Sequence, residues 1–216
     1  GMNFRHKTKN GILKSYLNYQ SGEIAIRFPN LDQAGEVTGL SNQNRNLYWN
    51  NSYRGIVGEK WSMLAALSFS RDYENVDFAA DVFGSTEYLG QAKLRLSRDV
   101  GSSLYLKMGA ELRWLDERHR FNEFEQLVND WFTAIFSEGE WRIGTRLAFR
   151  LGLRGEFSSL LGRQNLAPRS SLAFRTGAKS QVSLAYGQFY QSPQSDYLRQ
   201  TDELGFERSS HYILNY

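Results

Sequence analysis

Residues 140–157 alternate between apolar and polar side chains, and this alternation constrains the fold more than any other feature of the chain. One face reads Trp141, Ile143, Thr145, Leu147, Phe149, Leu151, Leu153, Phe157. The other reads Arg142, Gly144, Arg146, Ala148, Arg150, Gly152, Arg154, Glu156. A helix would scatter the arginines round its axis, whereas a strand gathers them on one side. The pattern predicts one strand here, with Arg142, Arg146, Arg150 and Arg154 in a row on its polar face. Four such arginines are too costly to bury unpaired in a small closed barrel. A wide, wet lumen could hydrate them or pair them with Glu111 and its neighbours.

The same period recurs along the chain. Leu104, Leu106, Met108, Ala110, Leu112 and Trp114 alternate with Tyr105, Lys107, Gly109, Glu111 and Arg113. Strands are expected at 2–8, 11–19, 23–28, 45–54, 61–70, 88–97, 104–114, 131–138, 168–176, 181–187 and 207–216, besides the arginine strand. The reading is about eleven strands, many near the length of a tilted membrane-crossing strand. Short turns are expected at Gln20–Gly22, Gly55–Glu59, Asp99–Gly101, Glu138–Gly139 and Gly177–Ala178. Longer polar loops are expected at 29–44, 72–86, 115–130, 158–167 and 191–206. Short connections on one rim and long ones on the other describe an up-and-down transmembrane barrel better than a sandwich.

Composition supports this once the alternation is allowed for. Mean hydropathy of −0.54 would suggest a soluble chain if the two faces were averaged. Aromatics are abundant (12 Tyr, 14 Phe, 5 Trp) and Pro is rare at 3, as suits strands. Trp61, Trp131 and Trp141 fall at strand starts and Trp114 at a strand end, where amphipathic rings favour membrane interfaces. The longest plain apolar run, Met63 to Leu67, is far too short for a spanning helix. A net charge of +3 without a Lys/Arg run gives no nucleic-acid signature. The chain has no Cys, which excludes disulfides and Cys-ligated zinc. Gly1 before Met2 reads as a cleavage scar, so the natural protein is expected to extend further.

The last third carries a resemblance. Ala167-Pro168-Arg169-Ser170-Ser171-Leu172-Ala173-Phe174 leads into Gly187-Gln188-Phe189-Tyr190-Gln191-Ser192-Pro193. Then Glu207-Arg208-Ser209-Ser210-His211-Tyr212 follows. These segments resemble barrel strands of TonB-dependent outer-membrane receptors of the Bacteroidetes type. The resemblance implies a location in the bacterial outer membrane, against outer-membrane lipid, and a barrel of about 22 strands closed by an N-terminal plug domain. It implies uptake of a scarce nutrient, whether iron chelate, cobalamin, metal or glycan, driven through TonB. Residues 1–216 would then be a β-barrel segment. The chain's own plug domain, the TonB-contacting N-terminal part and the remaining strands would lie outside it.

Candidate chemistry is sparse. His6, His119 and His211 lack zinc-hydrolase spacing, and no phosphate loop, dinucleotide fingerprint or nucleophile elbow occurs. No cofactor and no catalysis are expected. Asp72, Glu74, Asn75, Asp77 and Asp81 crowd one segment, but their spacing is not that of an EF-hand, and a solvated loop is the simpler reading. Phe121, Phe124, Tyr197 and Phe206 are loop aromatics that could stack on a small molecule or glycan. Two other readings stay open: a self-contained outer-membrane channel or small barrel enzyme, and a soluble β-sheet binding module.

Overall fold

The computed structural model describes residues 1–29, 35–198, 201 and 203–216. Eleven strands form one sheet in strict sequence order: β1 Met2–Lys7, β2 Gly11–Pro29, β3 Val37–Val57, β4 Trp61–Phe78, β5 Asp81–Val100, β6 Leu104–Phe121, β7 Phe124–Ile143, β8 Leu147–Ser158, β9 Arg163–Arg175, β10 Gln181–Gln191 and β11 Glu207–Asn215. Neighbours pair antiparallel throughout. A four-residue helix, α1 Ser195–Leu198, lies in the β10–β11 connection. No described helix is long and apolar enough to cross a membrane, which says nothing of strands.

No described element forms a second layer on this sheet. Within the strands, the buried apolar side chains among the described residues are Val128, Ala134 and Ala167, at 3, 2 and 1 % exposure. Leu67, Leu94, Ile135, Leu151, Leu184 and Leu214 are all exposed. Pairing register places every one of them on the same face. So large an apolar surface calls for a covering phase, and hydrocarbon fits a sheet whose backbone is satisfied within it.

Rings mark the edges of the apolar band. Phe69, Tyr88, Trp114 and Trp131 contact in series across β4–β7, with centroids 6.4, 6.5 and 6.1 Å apart. Near the opposite rim Trp141 stacks with Phe149 at 5.8 Å. Trp131 and Trp141 are ten residues apart on β7. At the usual rise and tilt this spans roughly 25 Å, the height of an apolar band between aromatic girdles. Residues between the girdles are taken as the membrane-spanning segments.

The connections differ from the sequence expectation. Gln20–Gly22 lies inside β2 and Glu138–Gly139 inside β7. Gly139 is paired in the ladder with Leu106 and Leu151, and its lack of a side chain leaves room for the Trp141 ring, which a Cβ would meet at 2.7 Å. The expected strand through 140–157 is a hairpin that turns at 144–146, where Gly144 takes a φ of +63°. Arg142 therefore lies one residue before the end of β7, Arg146 sits in the turn, and Arg150 and Arg154 belong to β8. The alternation survived because Ile143 pairs with Leu147, a register that keeps even-numbered residues on one face of both strands.

Three of the expected long loops are largely strand. Segments 72–86 and 115–130 are extensions of β4–β5 and β6–β7 past the girdle, closed by tight turns at 79–80 and 122–123. At 158–167, β8 and β9 flank a turn over 159–162. The 29–44 expectation is strand at Val37 onward, and its residues 30–34 lie outside the described residues. The connection over 192–206 does remain largely irregular where described.

Candidate functional site

Above the girdle, the polar faces of β4–β7 form three stacked rows. The tip row pairs Val76, Phe83, Phe121 and Phe124 across the four strands. The middle row pairs Glu74, Ser85, His119 and Gln126. The row nearest the membrane pairs Asp72, Glu87, Glu117 and Val128. Rows two residues apart along a strand lie about 7 Å from one another. The upper two rows line an open cavity of about 590 Å³. Gly84 and Arg120 border it too, but the Arg120 side chain lies over Gly84 on the opposite face.

Each row has its own chemistry. In the tip row the Phe83 and Phe121 rings meet at 4.6 Å, while Phe124 stays 76 % exposed and free to cover a ligand. In the middle row Asn42 of β3 donates to Glu74 at 3.0 Å, and His119 contacts Glu117 below it. In the lowest row Asn46 donates to Asp72. Burial raises the Glu87 carboxyl above its ordinary value, and the facing carboxylates of Glu117 and Asp72 raise it further, against a smaller opposite pull from His119. Like charges placed directly opposite on neighbouring strands oppose pairing.

The turn beneath the rims is fixed by Asp130. Its Oδ1 accepts from the hydroxyls of Ser158 at 2.8 Å and Ser159 at 3.3 Å, and from the Leu160 amide at 3.1 Å. Arg113 approaches its other oxygen at 3.5 Å. These bonds end β8 at girdle height, so Phe124–Trp131 of β7 rises above its β8 neighbour.

At membrane height the same polar face carries an ion-pair lattice. Arg154 meets Glu111 at 2.7 Å and Glu156 at 2.5 Å, and Lys93 meets Glu111 at 2.5 Å. Arg150 bonds Glu140 at 2.5 Å, and Lys107 bonds Glu138 at 2.7 Å. Pairing across strands thus resolves the burden of several arginines, and Glu111 is a partner as the sequence suggested.

Of the four aromatic candidates, Phe121 and Phe124 come together as the closing pair of the β6–β7 hairpin, in strands and not in a loop. Tyr197 lies in α1, and Phe206 packs edge-on against Tyr190 at 6.4 Å. Neither lines the cavity. Sequence reasoning missed Phe83 and Glu87, which only register brings beside the others. The acidic stretch 72–81 does not act as one cluster. Asp72 and Glu74 face the cavity side, whereas Asn75 and Asp77 face the other and bond each other at 3.2 Å. Among the described residues no three His, Asp or Glu side chains are placed to hold a metal ion.

No family model and no curated protein matches the chain. Solved structures do. A mutant of the ferric enterobactin receptor PfeA from Pseudomonas aeruginosa superposes with a TM-score of 0.61 at 12 % identity over 86 % of this chain. The Serratia marcescens hemophore receptor HasR, solved as a double mutant with its hemophore HasA and heme, gives 0.59 at 10 % identity over 98 %. The copper transporter OprC gives 0.57 at 10 % identity over 89 %. The chain spans 32, 47 and 42 % of those three chains respectively. At such identities the likeness establishes the fold: the sheet is a stretch of transmembrane β-barrel wall, with its apolar face outward and its polar face inward.

Proposed function

We propose that this chain is part of the barrel of a TonB-dependent outer-membrane receptor that imports a scarce nutrient. The finer assignment to the Bacteroidetes type rests on the Pro-Arg, Gly-x-Phe-Tyr-Gln-x-Pro and Arg-Ser-x-His-Tyr segments of β9, β10 and β11. The observation that carries the proposal is the sheet itself, eleven up-and-down strands with a girdled apolar exterior and an ion-paired interior. Three proteins with the same wall are a ferric enterobactin receptor, a hemophore receptor in complex with its hemophore and heme, and a copper transporter.

In this reading the cavity framed by Phe83, Phe121 and Phe124 faces the incoming small molecule from the rim. The inner wall at Arg150, Arg154, Lys93 and Glu111 faces the plug domain. Binding is followed by TonB-driven plug movement, so the protein works by regulated passage and not by catalysis. Sequencing the gene on both sides of this segment tests the proposal. A compact domain encoded upstream and further alternating strands in frame are the expected result. A signal peptide directly before Met2 together with a stop codon directly after Tyr216 would overturn it in favour of a self-contained barrel.

A further inference from the structure

We infer that the inner wall at β1–β3 carries a second binding site, which takes a small hydroxylated organic anion with its acid group against Arg5 and Lys14. The site is separate from the rim cavity and depends only on the polar face being the inner face of a barrel wall. Two rows of three residues form it. Arg5, Lys14 and Ser52 stand opposite one another across β1–β3. Asn3, Tyr16 and Asn50 do so two residues farther from the β1–β2 turn. Together the two rows line an open cavity of about 410 Å³, which Phe4 and Ser15 border from the other face. No carboxylate lines it.

The charges of this site are unanswered within the sheet. Arg5 faces Lys14 in register, and like charges directly opposite oppose pairing. Among the described residues neither of them forms an ion pair or a side-chain hydrogen bond. Lys7 and Arg54 follow on the same face toward the short turns, and the inward strand residues of β1–β4 up to Ser70 include no carboxylate. By contrast Lys93, Lys107, Arg150 and Arg154, on the same face of β5–β8, all meet carboxylates. A cationic solute would be repelled at Arg5 and Lys14, and a neutral one would leave the two opposed. A carboxylate or phosphate between them accepts charge-assisted bonds from both. The second row lies about 7 Å farther along the strands and offers amides and a phenol. Asn50 donates to the Tyr48 hydroxyl at 3.1 Å, which leaves its carbonyl oxygen to accept from a ligand hydroxyl. The Asn3 amide and the Tyr16 hydroxyl have no hydrogen-bond partner among the described residues. Hydroxyl groups beside the acid group therefore match this row.

The test uses probes with one carbon skeleton and different charge: gluconate, glucose 6-phosphate, glucose and glucosamine, with inorganic sulfate as a bare anion. The 216-residue chain is folded into detergent micelles, and binding is measured by equilibrium dialysis near neutral pH at low salt. Folding of each variant is read from heat-modifiable migration and tryptophan emission. Gluconate or glucose 6-phosphate should bind roughly tenfold or more tighter than glucose, as one hydrogen bond to a charged group would give. Whichever of the two binds tighter identifies carboxylate or phosphate as the acid group, and glucosamine should bind more weakly than glucose. Arg5→Gln with Lys14→Gln should abolish the preference for the anions; Lys14→Gln alone, which should reduce it, serves if that pair fails to fold. Lys9→Gln with Lys60→Gln removes the same charge from two turns outside the cavity and should leave the preference intact. A preference lost equally in both pairs, or kept in the Arg5 and Lys14 variants, would reduce it to general charge attraction and overturn the site. Sulfate bound as tightly as the sugar anions would overturn the role of the second row. Folded chain that binds none of the probes would overturn the whole proposal, while the receptor reading is decided separately by the gene sequence.

Discussion

At the residue scale, Glu87 opposes the pairing of its own strand with both neighbours. Its carboxyl faces Asp72 and Glu117 across two strand pairs, and its proton is held more tightly than in an unfolded chain. A raised folded value means that the stabilising protonated form is complete below the ordinary carboxylate range. That stability is lost as pH rises through the folded value. Glu87→Gln should therefore make the chain more stable near neutral pH, by up to about 1 kcal/mol for relief of directly opposed like charges. The variant should also flatten the fall in stability above the ordinary value of 4.5. Urea midpoints in micelles between pH 4 and 8 read both effects, and a variant less stable than the parent at pH 8 would contradict the argument. Ala79 offers a plainer case. It takes a φ of 53° in the β4–β5 turn, where a side chain is strained. Ala79→Gly should stabilise the hairpin by about 1 kcal/mol, measured in the same way.

At the element scale, the sequence disclosed strands best where a membrane covers one face. Trp61 to Phe69, Tyr88 to Leu96 and Leu104 to Trp114 read as strands because hydrocarbon demands an unbroken apolar side. Beyond the girdle both faces are wet, so Arg71, Tyr73 and Asn75 alternate with Asp72 and Glu74 without any contrast in polarity. That is why 72–86 and 115–130 read as loops although they are paired strand to their tips. Turns hidden in a conserved phase were equally illegible, as at 144–146, since a pairing of Ile143 with Leu147 repeats the alternation on the next strand. Depth gives a direct test of the band. Ile135→Arg, midway between the girdles, should cost about 2–4 kcal/mol, whereas Leu127→Arg, beyond Trp131, should cost about 1 kcal/mol or less. Folding titrations in lipid vesicles would show the two costs side by side, and equal costs would refute the placement of the band. Asp130 is the second element-scale feature. It is buried and satisfies the Ser158–Leu160 turn while facing Arg113. Asp130→Ala should lose about 3 kcal/mol, because it strands the buried Ser158 hydroxyl and a partner charge.

At the scale of the whole molecule, strand parity limits how the wall is completed. The sheet's two edges are β1 and β11, and with eleven alternating strands both run in the same direction. Curling the sheet on itself would bring those edges together in parallel, not in the antiparallel pairing found at every other junction. Rotating a second copy about the barrel axis gives the same mismatch. Strands that complete an all-antiparallel wall must therefore be odd in number. In micelles no such orientation is imposed, so two copies can invert relative to one another and pair β11 with β11 antiparallel. Unpaired edges of this kind promote association. A cysteine introduced by Ser209→Cys on β11 should therefore yield disulfide-linked dimers of the micellar chain. A cysteine at Ser68, inside the sheet, should not. The same Ser209→Cys chain inserted in one orientation into a bilayer should remain uncrosslinked. Dimers formed equally well there would mean that two copies do meet edge to edge, and that strand direction is not what decides the partner of this wall.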